Sequence, residues 1–91
     1  MVELTKLEKQ ALDAITKDDF FENGLDSCLW TDVYLDTFKA YYEVDTNQAR
    51  GVISSLIKKG IIKPIILKGR ESTIKLTDYG KEVMRELGYD D

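Results

Sequence analysis

Residues 46–62 read TNQARGVISSLIKKGII, which is the pattern of a capped amphipathic helix that stops at a glycine. At about 100° per residue, the apolar side chains of this segment fall on one side of a helical wheel. They are Ala49, Val52, Ile53 and Leu56. Asp45 or Thr46 is suited to cap the first turn, and Gly60 can end the last turn in the left-handed conformation. The sequence therefore predicts a helix over residues 46–59 with one buried and one exposed face.

The residues after this helix have the composition of a β-hairpin. Residues 61–67, IIKPIIL, are rich in β-branched side chains, and Pro64 restricts their strand to a sheet edge. Gly69-Arg70 fits a two-residue turn, and residues 72–76, STIKL, alternate polar and apolar side chains as a half-buried strand does. Thr77 is then expected to cap a last helix, ended by Gly88. The predicted inner stripe of that helix is Tyr79, Val83 and Leu87.

Two further helices are predicted upstream. Thr5 and Glu8 have the spacing of a capping box, which predicts a first helix over residues 6–17. Asn23-Gly24 signals a turn, and residues 28–30 can form a short strand. Thr31 is expected to cap a second helix of about ten residues, followed by a tight connection at 43–45. Its predicted inner face comprises Trp30, Val33, Tyr34, Phe38 and Tyr41.

The order of elements is helix, short strand, helix, helix, strand, strand, helix. Two consecutive helices followed at once by a hairpin are typical of a winged helix-turn-helix. We therefore predict an α+β fold with a three-helix core, a two-stranded wing that a short third strand can join, and a C-terminal helix. The 91 residues have room for one such domain, spanning residues 1–91.

Charge is distributed unevenly along the chain, whose net charge is −4. Residues 1–45 carry 11 acidic and 4 basic residues, and residues 46–91 carry 6 acidic and 9 basic residues. The first part is therefore −7 and the second part +3. Between residues 46 and 76 the only acid is Glu71, so that segment is +6. This is either a chance cluster of solvated lysines or the surface of a nucleic-acid-binding element.

The exposed face of the helix over 46–59 combines short polar and basic side chains with no acid. Short side chains let a helix enter the DNA major groove, where Asn, Gln and Arg pair with base edges. A helical glycine costs roughly 1 kcal/mol relative to alanine, so Gly51 is either a tolerated cost or a point of close approach. The wing tip either reaches phosphates or solubilises the hairpin. The candidate DNA-binding residues are Asn47, Gln48, Arg50, Gly51, Ser54, Ser55, Lys58, Lys68 and Arg70.

Catalysis has no support in the sequence, and we predict no enzyme activity, cofactor or metal site. The chain has no histidine and one cysteine, which excludes zinc clusters and Cys/His nucleophile pairs. The glycines are scattered, so there is no phosphate-binding loop. Cys28 is expected to be a small buried residue. The acidic residues are expected to form a solvated face, namely Asp18, Asp19, Glu22, Asp26, Asp32 and Asp36.

Two short phrases resemble MarR-like winged-helix regulators. Leu56 to Ile61 matches a Leu-x-x-Lys-Gly-Leu/Ile phrase, and Leu76 to Lys81 matches a Leu-Thr-x-x-Gly-Lys phrase. The resemblance covers roughly the second half of the chain, and it implies a recognition helix and a wing. The chain departs from the family in lacking length for terminal dimerisation helices, in its short wing tip, and in placing Arg50 one residue before the usual arginine. The acidic first half looks more like small stand-alone winged-helix proteins of bacteria and phages.

Two functions remain open from the sequence. The first is a regulator that binds double-stranded DNA as a monomer or weak homodimer, with helix 46–59 in the major groove and wing 63–76 on the backbone. The second is a protein-interaction module whose partner binds the acidic first half around Asp18, Asp19 and Glu22. No apolar run has the roughly 20 residues of a membrane span, and no signal peptide is evident, so a cytoplasmic location is expected.

Overall fold

The computed structural model describes residues 3–18, 21–66 and 72–89. Within these ranges the predicted order of elements is confirmed, including the short third strand. The elements are α1 (Lys6–Thr16), a 3-10 turn (Gly24–Asp26), β1 (Leu29–Trp30), α2 (Thr31–Tyr42), α3 (Thr46–Lys58), β2 (Ile62–Ile66), β3 (Ser72–Leu76) and α4 (Asp78–Glu86). Helices α1, α2 and α3 pack together on the small sheet, which is the α+β winged-helix arrangement.

The sheet is antiparallel, with strand order β1-β3-β2. Its register pairs Ile62 with Leu76 and Leu29 with Ile74. Strand β2 therefore lies at an edge, where Pro64 removes no hydrogen bond that a second neighbouring strand would need. The central strand β3 buries Thr73 as well as its apolar residues, so the simple alternation predicted for it is only partly kept.

The inner face of α2 differs from the prediction. Tyr34, Leu35 and Phe38 are buried, whereas Val33 is 37% exposed and Tyr41 is 58% exposed. The predicted face included Trp30, but Trp30 lies in β1 and its direction follows strand pairing instead of helical periodicity. Because Trp30 was counted as part of the helix, the predicted inner face is rotated around α2 relative to the face that is buried.

The N-cap of α2 is Trp30, not Thr31 as predicted, and no side chain caps the first turn. Thr31 is already helical, and its hydroxyl lies 3.1 Å from both the carbonyl oxygen and the hydroxyl of Ser72. This contact ties the start of α2 to the start of β3, and a partner so distant in sequence was not visible to local capping rules.

Two more predictions were wrong in orientation. Cys28 is exposed, because Ser27 and Leu29 on either side of it are buried and successive side chains of an extended segment point to opposite sides. In α4 the buried residues are Gly80, Val83 and Met84, and Tyr79 is 39% exposed. Thr77 does cap this helix as predicted, since its hydroxyl accepts from the Gly80 amide at 2.9 Å.

The end of α3 and the start of α4 meet at one compact junction. Gly60 has φ +75°, and the Ile61 amide donates to the Leu56 carbonyl at 3.0 Å, which closes α3 with a Schellman motif. The Thr77 hydroxyl donates to the Gly60 carbonyl. Gly80 lies so close to Ile61 that a Cβ atom built on it would overlap the Ile61 carbonyl. The segments Leu56 to Ile61 and Leu76 to Lys81 are therefore in direct contact with each other.

We expect Gly80→Ala to destabilise the protein by about 2 kcal/mol or more. Overpacking in a core costs about 1–3 kcal/mol, and here the obstacle is backbone, which cannot change rotamer. The free energy of unfolding, measured by urea denaturation with circular dichroism, tests this expectation.

Gly51→Ala is the matched control, because Gly51 has no atom within 4 Å of its built Cβ. The same methyl group should raise stability there by up to about 1 kcal/mol through helix propensity. A Gly80→Ala protein as stable as the wild type would contradict the described junction.

Candidate nucleic-acid interface

The first turn of α3 is fixed by a capping box between Asp45 and Gln48. The Asp45 carboxylate accepts a hydrogen bond from the backbone amide of Gln48 at 2.7 Å. The Gln48 side-chain oxygen accepts one from the backbone amide of Asp45 at 3.2 Å. Lys39 Nζ, near the end of α2, donates to the Thr46 hydroxyl at 2.9 Å. Between the two helices Glu43 adopts the left-handed conformation, with φ 52°. These contacts set the angle at which α3 leaves α2.

The buried face of α3 is the predicted one, comprising Ala49, Val52, Ile53 and Leu56. The exposed residues of the opposite face are Asn47, Arg50, Gly51, Ser54 and Lys58. No hydrogen bond or ion pair joins these side chains to any other residue in the described part of the chain. Gln48 is also exposed, although its side-chain oxygen is already used by the capping box. The face therefore offers free hydrogen-bond donors and two positive charges.

Ser55 lies on a different side of α3 from the other candidate residues. It is half-buried, and its hydroxyl donates to Glu8 Oε2 of α1 at 2.6 Å. Lys59, one turn later, places its ammonium 2.6 Å from Glu8 Oε1. Both side chains are therefore engaged by α1, so neither the Ser55 hydroxyl nor the Lys59 charge is free on the exposed face of α3.

The Glu8 carboxylate is the most deeply buried acidic group in the described residues, with 2% of the residue exposed. Burial by itself raises the pKa of Glu8. Hydrogen bonds from Lys59, Ser55 and the Thr5 amide, together with the charge of Lys59, outweigh burial and lower the pKa of Glu8 to about 2. Glu8 is therefore ionised across the physiological range.

Each of the two wing strands carries a lysine in its described part. Lys63 of β2 and Lys75 of β3 are directly opposite in register, with Lys63 exposed and Lys75 half-buried. Like charges in such a position destabilise a strand pair. Lys68 and Arg70 lie outside the described residues, so their position relative to α3 stays a prediction.

The acidic first half is not one solvated surface. Asp18 is 5% exposed, which corrects its assignment to a solvated face, and Asp19 lies outside the described residues. Asp13 accepts hydroxyl hydrogen bonds from Tyr42 and from Tyr89, the latter at 2.7 Å, and Asp26 forms an ion pair with Lys81. Asp13 and Asp26 therefore each connect separate elements of the fold.

The exposed acids of this half include Asp32 and Asp36 on the outer side of α2. Tyr41 is largely exposed on another flank of α2, with the Lys17 ammonium 5.7 Å from its ring centroid, while Tyr42 is half-buried. Within the described ranges no three His, Cys, Asp or Glu residues form a group that could hold a metal ion. No helix in the same ranges is long and apolar enough to cross a membrane.

No family model matches the sequence, and no curated protein matches it significantly. Among solved structures the fold is similar to the PcaV transcriptional regulator from Streptomyces coelicolor, crystallised in complex with its natural ligand. The TM-score is 0.62 at 28% sequence identity, and the match covers 94% of this chain and 54% of PcaV. The chain thus spans about half the length of that regulator. Because PcaV is a MarR-family winged-helix regulator, the predicted fold is confirmed.

We expect Glu8→Gln to remove a pH-dependent part of the stability. A carboxyl whose pKa is lowered by folding stabilises the protein above its unfolded pKa, and this contribution disappears as the pH falls through the folded pKa. The stability gap between wild type and variant should therefore be largest near neutral pH and close between pH 4.5 and about 2. It should reach on the order of 3 kcal/mol, at about 1.4 kcal/mol per pKa unit.

Urea denaturation at a series of pH values measures this gap. Other carboxyls titrate in both proteins, so only the difference between them reports Glu8. Glu22→Gln, which makes the same chemical change at an exposed position, is the control for the general effect of losing one carboxylate. A gap for Glu8→Gln that stays constant with pH would contradict the described ion pair.

Proposed function

We propose that this chain is a DNA-binding winged-helix protein of the transcriptional-regulator class, acting as a monomer or weak homodimer. In this proposal α3 enters the major groove, and the wing over residues 63–76 lies on the sugar-phosphate backbone. One observation carries the proposal: the exposed face of α3 presents Asn47, Arg50, Ser54 and Lys58 without a partner in the described chain and without any acid. The similarity to a transcriptional regulator supports the same reading.

The exposed residues of α3 form a continuous stripe along the helix. Their spacing, at 47, 50, 51, 54 and 58, follows the repeat of three and four residues that lines one side of a helix. From Asn47 to Lys58 the stripe runs about 16 Å, at 1.5 Å per residue. This length corresponds to roughly five base pairs of duplex at 3.4 Å each, which is a suitable reach for one helix in a major groove.

The net charge of −4 does not oppose this contact as strongly as its size suggests. Helix α3 itself contains no acidic residue. Glu8 and Asp26 are paired with lysines, and Asp13 is hydrogen-bonded to two tyrosines. Because the Debye length is about 8 Å at physiological salt, distant acids are screened while phosphates in contact with α3 meet Arg50 and Lys58 directly.

We expect Arg50→Ala and Lys58→Ala each to weaken binding to double-stranded DNA. Loss of a base-reading arginine costs about 1–3 kcal/mol, and loss of a phosphate-contacting lysine reduces the salt slope by about one. With about four to six phosphate contacts, wild-type affinity should fall roughly 10²- to 10³-fold between 50 and 200 mM salt. Fluorescence anisotropy with a labelled duplex at several salt concentrations measures both effects.

The matched control is Lys9→Ala. Lys9 is exposed on α1, the helix that packs on the inward side of α3, so its loss should leave affinity and salt slope unchanged. Absence of any duplex binding by the wild type at low salt, or equal weakening by Lys9→Ala and Arg50→Ala, would count against DNA binding through α3.

We expect Gly51→Ala to move stability and DNA affinity in opposite directions. In the free protein the added methyl group meets nothing within 4 Å, so helix propensity should raise stability by up to about 1 kcal/mol. In the complex the methyl group would stand between the α3 backbone and the DNA, which should weaken binding by about tenfold or more. Urea denaturation and anisotropy on one preparation measure the two effects, and unchanged affinity would show that nothing approaches Gly51 closely.

Protein binding on the same scaffold is the second candidate, now favoured by one specific surface. The outer side of α2 exposes Val33 together with Asp32 and Asp36. This surface suits a partner that is basic and partly apolar. Arg50 lies on a different helix, so Arg50→Ala should leave such a partner bound, while Asp36→Asn on this surface should weaken its binding.

A further inference from the structure

Glu8 joins α1 to α3 through a closed set of hydrogen bonds. Its Oε1 accepts from the Thr5 amide at 2.8 Å and from Lys59 Nζ at 2.6 Å, while Oε2 accepts from the Ser55 hydroxyl at 2.6 Å. Lys59 Nζ also donates to the Glu3 carbonyl at 2.9 Å. The buried carboxylate of Glu8 therefore caps α1 and also binds Ser55 and Lys59 at the C-terminal end of α3.

An ion pair between a buried carboxylate and a half-buried lysine is poorly explained by stability alone. Removing a carboxylate and an ammonium from water costs nearly as much as their attraction returns, and apolar side chains of similar volume often serve as well. Hydrogen bonds differ from apolar packing in having a direction. The pair is therefore suited to define orientation, a role that buried polar groups have in some other proteins.

The orientation in question is the rotation of α3 about its own axis. Ser55 and Lys59 lie four residues apart and face Glu8, whereas Ser54 and Lys58 precede them by one residue and are turned away by about 100°. Both pairs consist of one serine and one lysine, so their chemistry does not decide which pair faces α1. Burial of the apolar face of α3 decides it. Apolar packing tolerates small shifts, and the carboxylate removes that remaining freedom.

We propose that Glu8 is a positioning residue for the proposed DNA-reading face. Through Ser55 and Lys59 it holds α3 at the rotation that presents Asn47, Arg50, Ser54 and Lys58 outward. The inference rests on the proposed function, and it assigns the two adjacent lysines different tasks. Lys58 contacts the DNA, whereas Lys59 helps to fix the rotation of α3 about its axis.

The double variant Glu8→Leu/Lys59→Met tests the proposal. It removes one negative and one positive charge, so net charge and electrostatic attraction to DNA are unchanged, and it substitutes apolar groups for the pair. Two probes are used: a duplex selected from random sequence by the wild-type protein, and an unselected random duplex. We expect the preference for the selected duplex to fall by at least about tenfold, while binding to random duplex at low salt is unchanged.

Lys58→Met is the matched comparison, because it removes the adjacent lysine and leaves the Glu8 contacts intact. It should weaken binding to both duplexes. A purely structural role for Glu8 predicts instead that the double variant, once shown to melt within about 5 °C of wild type, keeps its full preference. That result would overturn the proposal.

A measurement without DNA separates this inference from the proposed function. Residual dipolar couplings of backbone amides give the orientation of α3 relative to α1 in the free protein. We expect the couplings of α3 to change in Glu8→Gln and Ser55→Ala and to be retained in Lys59→Arg, which keeps the ion pair. Unchanged couplings in the first two variants would overturn the positioning role, whereas absence of duplex binding by wild type with changed couplings would overturn only the proposed function.

Discussion

The contact between the Ile61 carbonyl and Gly80 is the constraint on which the second half of the fold depends. It places the first turn of α4 directly on the residues that end α3 and begin β2. Thr77 completes the contact, since its amide donates to the Ile61 carbonyl and its hydroxyl to the Gly60 carbonyl. A single junction therefore relates α3, both wing strands and α4, and it leaves no space for a side chain at position 80.

Helix α3 is held on two sides that have different physical characters. At its end the junction is backbone against backbone, and along its flank Glu8 forms charge-assisted hydrogen bonds with Ser55 and Lys59. Neither contact uses the exposed stripe of α3. Ser54 and Lys58 therefore remain exposed, because Ser55 and Lys59, each one position later in sequence, make the contacts with Glu8.

Charge along the chain is a poor guide to charge on its surface in this protein. Asp18 is buried, Asp13 is held by two tyrosine hydroxyls, and Glu8 neutralises Lys59. The acidic first half and the basic second half thus partly cancel within the fold. The exposed surfaces include an acid-free face on α3 and an acidic side of α2, which suit different partners.

The sequence by itself determined the order of the elements and most of their ends, the start of α2 being the exception. The caps at Thr5, Asp45 and Thr77 and the left-handed Gly60 and Gly88 agree with the structure, because such ends are satisfied within about four residues. The apolar face of α3 was likewise readable from periodicity. Only the tertiary structure decided which serine of Ser54-Ser55 points outward, that Lys59 is engaged, that Asp18 is buried and that Cys28 is exposed. Each of these depends on packing between separate elements, as with Glu8, which lies 47 residues from Ser55, and no local pattern encodes such a partner.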